Sequence, residues 1–115
     1  MTQMLQEADE LSRDGKYEQA CELYEQIVAD RPDEPMGWWG LAHVVMNQGH
    51  FELAAKHFQR AAKLAPNQQR IVYDWAMLHT MLGEYDAARP LFEKVVEIDS
   101  NSKEGAEAQK QLAYY

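Results

Sequence analysis

A short pattern recurs three times along this chain at a fixed interval of 34 residues. A glycine, at Gly15, Gly49 and Gly83, is followed two residues later by an aromatic residue and five residues later by an alanine. The same register aligns further positions: Tyr24 with Phe58 and Phe92, Ile27 with Ala61 and Val95, and Pro32 with Pro66 and Ser100. Periods of about 20 to 50 residues are typical of proteins that stack one structural unit several times. The sequence therefore predicts three consecutive repeats.

The spacing of apolar residues inside a repeat predicts a helix. In the second repeat the helical positions i, i+3, i+4 and i+7 are occupied by Trp38, Leu41, Ala42 and Val45. We expect this helix to span roughly 35–48, with Pro35 in its first turn, where the missing N–H costs nothing. Gly49 should end it, because a residue without a Cβ readily adopts the backbone conformation that terminates a helix.

A second helix follows in each repeat and combines small with large apolar residues. Ala54 and Ala61 let two backbones approach closely, while Phe51 and Phe58 fill the gaps between them, until a proline stops the helix. The same plan predicts helices near 2–14, 17–30, 69–82 and 85–98, and a seventh from Ser102 toward Tyr114 with Ala106, Leu112 and Ala113 on its apolar face. Pro90 lies inside the sixth helix, where we expect a mild bend or an irregular first turn.

A turn glycine, an aromatic residue two positions later and a small residue three further on, repeated every 34 residues, resemble the pattern of the tetratricopeptide repeat family. The resemblance covers residues 1–102 and implies an all-α fold, a right-handed α-solenoid of three helix-turn-helix hairpins. It implies a single domain over 1–115, composed of repeats 1–34, 35–68 and 69–102 and a capping helix over 103–115. It also implies that the first helix of every hairpin lines a concave groove.

Composition and charge limit the partners and the location of the chain. The net charge is −8, and the first repeat alone carries ten acidic and three basic residues, so nucleic acid and anionic lipid would be repelled. No apolar run approaches the roughly 20 residues that a membrane-spanning helix needs. The single cysteine, Cys21, cannot form an internal disulfide, which fits a reducing compartment. We therefore expect a cytoplasmic protein that binds neither nucleic acid nor membrane.

Catalytic and metal-binding patterns are weak in this sequence. The four histidines, His43, His50, His57 and His79, contain no i, i+4 pair and no HExxH arrangement. No glycine-rich phosphate loop or nucleophile elbow is recognisable. His79 falls in a core column and is expected to be a hydrogen-bonded interior residue, and Cys21 is expected to be inert. We predict a protein that is not an enzyme and that uses no cofactor and no metal.

The first helices of the second and third repeats carry a second apolar row beside their core stripe. Such a row either is covered by something else or marks an interaction site. Trp39 and Tyr73 would be rigid anchors, and the methionines would be an adaptable lining. The predicted peptide-binding groove comprises Leu5, Asp9, Met36, Trp39, His43, Met46, Asn47, Arg70, Tyr73, Met77 and Met81. The alternative is that this row packs between neighbouring inner helices.

Two tryptophans and two glycines lie next to this row. Trp38 and Trp75 fall on the core stripe of their helices and are expected to be core residues. Gly37 and Gly40 each disfavour a helix interior by ~1 kcal/mol relative to alanine, so their presence calls for a reason. They either admit the backbone of a partner beside Trp39 or make room for the two adjacent indoles.

Some members of the family that the chain resembles grip a C-terminal carboxylate. They use a lysine and an asparagine on the first inner helix, an asparagine on the second and basic residues on the third. The matching positions here hold Leu5, Asp9, Gly40, Arg70 and Asp74. Only Arg70 agrees, so we expect no carboxylate clamp. Arg70 and Asn47 remain candidates for contacting an acidic or backbone group of a bound peptide.

The leading functional hypothesis is a non-catalytic adaptor that holds an extended or helical peptide of a partner protein in the concave groove. A second hypothesis is a chaperone, resembling the three-repeat secretion chaperones of bacteria, that shields apolar segments of its clients in the same groove. A third is an assembly module within a larger protein. Self-association into a homodimer is also open, because an uncovered aromatic groove can pair with another copy.

Overall fold

The computed structural model describes residues 2–115, and these residues form seven α-helices and no β-strand. The helices are α1 (Thr2–Arg13), α2 (Tyr17–Asp30), α3 (Pro35–Asn47), α4 (Phe51–Leu64), α5 (Gln69–Met81), α6 (Tyr85–Ile98) and α7 (Lys103–Leu112). Helix α1 packs on α2, α3 on α4, and α5 on α6, which makes three helical hairpins. The all-α prediction is confirmed, with helix bounds within about two residues of those expected.

Each hairpin turns at a glycine whose backbone lies in the left-handed region. The φ angles are +78° at Gly15, +87° at Gly49 and +76° at Gly83. The N–H of the next residue donates back to the carbonyl five positions earlier, as from His50 to Val45 at 2.8 Å. Equivalent bonds close the other two turns at 2.9 and 2.8 Å. This is the bonding of a Schellman motif, which satisfies the last carbonyls of a helix.

The helices form two compact units. The first contains α1 to α4 and ends at Leu64, and the second extends from Ala65 to Tyr115. In the first unit Ala54, Phe58 and Ala61 are fully buried, as their repeat positions predict. The prediction of a single domain concerns the relation between the two units and stays a prediction.

The first unit depends on a close approach between α2 and α3. A Cβ at Gly40 would lie 2.3 Å from the Tyr24 ring, and one at Gly37 would lie 3.0 Å from Ile27 and 3.1 Å from Val28. The space left by the two glycines is therefore occupied by α2. This differs from both sequence-based interpretations, in which the glycines made room for a partner backbone or for the indoles of Trp38 and Trp39.

The second unit has its own core, and α7 completes it. Its buried cluster comprises Val72, Tyr73, Ala76, Ala88, Phe92, Val95 and Ala108. Ser102 caps α7 as predicted, because its Oγ accepts the Gly105 N–H at 2.9 Å. The predicted apolar face of α7 is wrong in part, since Ala106 and Ala113 are exposed. Gly105 and Ala108 are buried instead, because this side of the helix faces α5 and α6.

Pro90 does not interrupt α6, which continues through it. At its start the Glu84 carbonyl accepts N–H groups from two residues, at 3.2 and 3.1 Å, and the Gln68 carbonyl does the same at the start of α5, which contains no proline. This bonding is therefore not an effect of Pro90, and the expected bend or irregular first turn stays a prediction. Pro90 is exposed, so the carbonyl that loses its partner to proline lies near solvent.

We expect Gly40→Ala to lower the free energy of unfolding by about 1–3 kcal/mol, the usual range for overpacking a core. The Tyr24 ring cannot easily yield to the added methyl group, because its hydroxyl donates to Asp9 on α1. Urea denaturation followed by circular dichroism measures the change. Gly37→Ala is the matched control, and it should cost less because its nearest neighbours are the ends of two aliphatic side chains. Equal losses for the two variants would contradict this explanation.

Candidate functional site

Seven of the predicted groove residues lie in the first unit, on two helices that contact each other. Leu5 and Asp9 lie on α1, whereas the other five lie on α3: Met36, Trp39, His43, Met46 and Asn47. Asp9 and Asn47 are exposed, and the remaining five are half-buried. The structure thus brings these residues together on one pair of helices and leaves part of each apolar side chain in solvent. We call Met36, Trp39, His43 and Met46 the α3 row.

Trp39 is supported by a chain of ring contacts that ends in the core. The Trp39 and His43 rings meet edge to face with centroids 5.4 Å apart, and His43 meets Phe58 in the same way at 5.4 Å. Phe58 is fully buried. Such edge-to-face geometry is favoured by aromatic quadrupoles. The Trp39 indole is therefore held in one orientation while part of its surface remains accessible.

Asp9 is fixed beside this row by a tyrosine from α2. The Tyr24 hydroxyl donates to the Asp9 carboxylate, and the same ring lies against Gly40 on α3. Burial, followed by the hydrogen bond to Asp9, raises the pKa of Tyr24, so the phenol stays a donor at neutral pH. The carboxylate is exposed and keeps its remaining lone pairs available to a cation or an N–H donor.

The second unit places its four predicted residues differently. Tyr73 is only 8% exposed and belongs to the core cluster, where its ring meets Phe92 edge to face at 5.7 Å. Burial, and then the charge and hydrogen bonding of Glu107, raises the pKa of Tyr73. The expectation that Tyr73 presents an open anchor is therefore corrected, because α7 supplies both Glu107 and the buried Ala108 to this site.

The other predicted groove residues on α5 range from half-buried to exposed. Met77 is half-buried and packs against the core cluster, whereas Met81 is 58% exposed. Arg70 is exposed, with its Nε 3.5 Å from the Asp74 carboxylate and its guanidinium 5.7 Å from the centre of the Tyr73 ring. Asp74 thus balances part of the positive charge of Arg70, which weakens the attraction of Arg70 for an acidic group of a ligand.

Residues near the end of the chain contribute a small cavity that the sequence did not indicate. A cavity of about 410 Å³ is lined by Thr80, Tyr85, Gln111, Tyr114 and Tyr115. The Tyr115 and Thr80 hydroxyls are 2.8 Å apart, and the Tyr115 ring lies 5.6 Å from that of Tyr85. The C-terminal residues therefore cover part of α5 in the second unit.

A larger cleft of about 590 Å³ lies in the first unit between α2, α3 and α4. Its lining includes Cys21, Glu25, Trp38, Leu53 and His57. Trp38 is half-buried and its indole N–H donates to the Pro32 carbonyl at 2.8 Å, so the expectation that Trp38 is a core residue is wrong. The sequence offered one sign of this cleft, which is Leu53, a large apolar residue outside the apolar stripe of α4. In the structure Leu53 is 43% exposed.

Trp75, the other tryptophan expected in the core, is also half-buried. Its ring lies 6.2 Å from that of His79, and its buried indole N–H has no hydrogen-bond partner among the described residues. His79 is hydrogen-bonded as expected, with its Nδ1 2.9 Å from the Glu84 carboxylate, and it is largely buried.

Residues 2–115 lack both a metal-binding cluster and a membrane-spanning helix. No three histidine, cysteine, aspartate or glutamate side chains gather where they could hold a metal ion. None of the helices in that range combines the length and apolar character needed to cross a bilayer.

Helical hairpins repeated every 34 residues define this chain as an α-helical repeat protein. A family model described as Tetratricopeptide repeat matches residues 5–68 and again residues 40–103. The chain therefore belongs to the tetratricopeptide repeat family, as the glycine and alanine columns predicted. Members of this family are typically non-catalytic protein-interaction modules.

Two curated relatives are far longer than this chain. The chain is 25% identical over 93 residues to anaphase-promoting complex subunit 3 of Schizosaccharomyces pombe, a match covering 81% of the chain and 14% of that protein. It is 29% identical over 79 residues to cleavage stimulation factor subunit 77 of Arabidopsis thaliana, covering 69% of the chain and 11% of that protein. The match thus spans about a seventh or less of each relative.

Solved structures share the fold at low sequence identity. PcrH in complex with the chaperone binding region of PopD superposes with a TM-score of 0.89 at 19% identity, covering 98% of this chain and 88% of that chain. The translocator chaperone SycD of Yersinia enterocolitica gives 0.89 at 19%, covering 98% and 81%. The first tetratricopeptide domain of Spaghetti (RPAP3), bound to an HSP90 peptide, gives 0.85 at 19%, covering 96% and 88%.

We expect the Cys21 thiol to be alkylated slowly in the native protein. Burial, followed by the nearby Glu25 carboxylate, raises the pKa of Cys21 to about 11, so very little reactive thiolate is present at pH 8. Iodoacetamide should react about a hundredfold faster with the urea-unfolded chain, whose thiol has an ordinary pKa of about 8.5. Glu25→Gln should accelerate the native reaction, whereas Glu10→Gln on α1 should not. Equal rates for native and unfolded protein would refute the assigned environment.

Proposed function

We propose that this chain is a non-catalytic module that binds a peptide segment of a partner protein on the α1 and α3 surface of the first unit. The observation that carries the proposal is Trp39, which is half-buried, oriented by His43 and followed along the same row of α3 by partly exposed methionines. Large aromatic side chains in such settings supply much of the affinity of protein interfaces.

The row offers both apolar contact and polar orientation. Met36 and Met46 can adapt to varied apolar side chains of a ligand, because methionine is flexible and polarizable. Asp9 and Asn47 are exposed at the same surface and would bond to backbone amides or a basic side chain. Since Tyr24 already fixes Asp9, less conformational entropy is lost when a ligand binds.

The α5 residues enter the proposal as a second contact surface. Met77 and Met81 are partly or largely exposed and would meet another portion of the same partner. Arg70 would contact an acidic or backbone group of the partner, and the nearby Asp74 carboxylate would reduce the electrostatic attraction between Arg70 and that group. Tyr73 supports these residues from the core, because its ring is buried. Leu5 extends the first surface on α1.

The structural neighbours support a peptide ligand. PcrH and the RPAP3 domain are each described in complex with a segment or peptide of another protein. The resemblance to PcrH and SycD favours a second candidate, a chaperone that shields an apolar segment of a client. Both proposals place the ligand on the same surface. Both describe a cytoplasmic protein that has no catalytic role, uses no cofactor and binds neither nucleic acid nor membrane. The same surface could also pair two copies of the chain.

Trp39→Ala should weaken binding of a selected peptide by about 30-fold, as expected for a hot-spot residue worth ~2 kcal/mol. Peptides would be selected from a phage-displayed random library on the wild-type chain, and their affinities would be measured by fluorescence anisotropy. Circular dichroism should report unchanged helical content, because the indole is only half-buried.

Gln59→Ala serves as the control, since Gln59 is exposed on α4 and lies outside the row. Tyr73→Ala should behave differently from Trp39→Ala by lowering stability, because its ring is in the core. If Trp39→Ala binds every selected peptide as tightly as wild type, the α3 row is not the binding surface.

The chaperone candidate predicts a different readout from the passive adaptor. A client segment should remain in the supernatant when co-expressed with the wild-type chain and should precipitate when co-expressed with Trp39→Ala. Ultracentrifugation of both cultures measures the soluble fraction. If the client is equally soluble without the chain, the chaperone hypothesis is excluded and only the adaptor hypothesis stands.

A further inference from the structure

The cleft between α2, α3 and α4 is separate from the α3 row. It shares no lining residue with the predicted groove, and its aromatic wall is Trp38, next in sequence to Trp39. Successive residues of a helix point about 100° apart, so the two indoles serve different surfaces of α3. Nothing in the proposed function uses this cleft.

The dimensions of the cleft suit a helix rather than a compact ligand. Its lining on α2 runs from Cys21 to Ala29, eight residue-to-residue steps that span about 12 Å at ~1.5 Å each. Two turns of a helix have nearly the same length. A space between two helices also presents the type of groove into which the side-chain ridge of a third helix packs. Val28, Leu41, Val45 and Leu53 supply an apolar floor and edge.

The charges around the cleft differ between its two edges. Glu25 lines the α2 edge, with Glu18 and Glu22 exposed on the same helix. On the α4 side, Leu53 and His57 line the cleft, and Lys56 and Arg60 are exposed on the same helix outside the lining. The Arg60 guanidinium lies 5.5 Å from the centre of the Trp38 ring, which is part of the lining.

The remaining polar groups of the lining are neutral near pH 7. Burial lowers the pKa of His57, against a smaller opposing effect of Glu25, and burial raises the pKa of the Cys21 thiol. Glu25 is the acidic residue of that lining. A ligand that places cations along α2 and anions along α4 would complement both edges.

We propose that this cleft binds an amphipathic helix of a partner protein, with an apolar ridge on Trp38 and Leu53 and a basic flank facing Glu25 on α2. The α4 edge, with Lys56 and Arg60, receives the acidic flank of the same helix. This second surface lets the first unit hold one partner segment on the α3 row and another in the cleft.

The test is a selection that excludes the α3 row. A displayed library of a single-helix scaffold, randomised on its ridge and flanks, is selected on the Trp39→Ala variant and counter-selected on Trp39→Ala/Leu53→Glu. Enriched helices should carry apolar ridges with lysine or arginine on one flank, and Leu53→Glu should weaken them at least about tenfold. Bound helices should also slow the alkylation of Cys21.

A charge exchange tests orientation. Glu25→Lys should favour enriched helices remade with glutamate on the basic flank, whereas Glu10→Lys, which makes the same change of charge on α1, should leave the preference unchanged. No enrichment over the counter-selected variant, or no dependence on Glu25, would overturn the proposal. Equal binding of proline-substituted peptides that cannot form a helix would also overturn it, because the occupant would then be an extended segment. Self-association of the chain that Leu53→Glu abolishes would overturn it as well, because the occupant would then be a second copy. None of these outcomes bears on peptide binding at the α3 row.

Discussion

The contact between the Tyr24 ring and Gly40 determines how the first unit is built. Because Gly40 has no Cβ, the ring can lie where any other residue would place an atom 2.3 Å from it. The hydroxyl of the same ring reaches Asp9 on α1. One side chain of α2 therefore joins α1 to α3. Since Tyr24 is 2% exposed, α3 cannot move away from it without opening a void in the core.

Both surfaces of α3 follow from this fixed position. Trp38 is held by its hydrogen bond to the Pro32 carbonyl, and Trp39 is held by its contact with His43. Each indole thus keeps a defined orientation while part of its ring stays in solvent. Because each indole is already held in place, less side-chain conformational entropy is lost when a ligand binds. Two half-buried, fixed tryptophans therefore contribute more to affinity than two freely rotating ones.

The parts of the fold that could be predicted from sequence are those set by local rules. Helix bounds, glycine turns, the Ser102 cap and the burial of Phe58 follow from periodicity and turn chemistry within one repeat. Tyr73 could not be placed in this way, because its burial depends on Glu107 and Ala108, more than 30 residues further along the chain. Whether an apolar row is covered is decided by tertiary contacts, and periodicity within one helix carries no information about them.

The repeats are equivalent in sequence position but not in environment. Trp39 and Tyr73 are one repeat apart, yet Trp39 is half-buried, whereas the ring of Tyr73 is enclosed with the help of α7. The accessible aromatic anchor of the predicted groove therefore lies in the first unit. The ten acidic and three basic residues of the first repeat lie in the same unit. A partner that pairs apolar side chains with lysine or arginine would gain from both features, and salt would weaken only the electrostatic part of that gain.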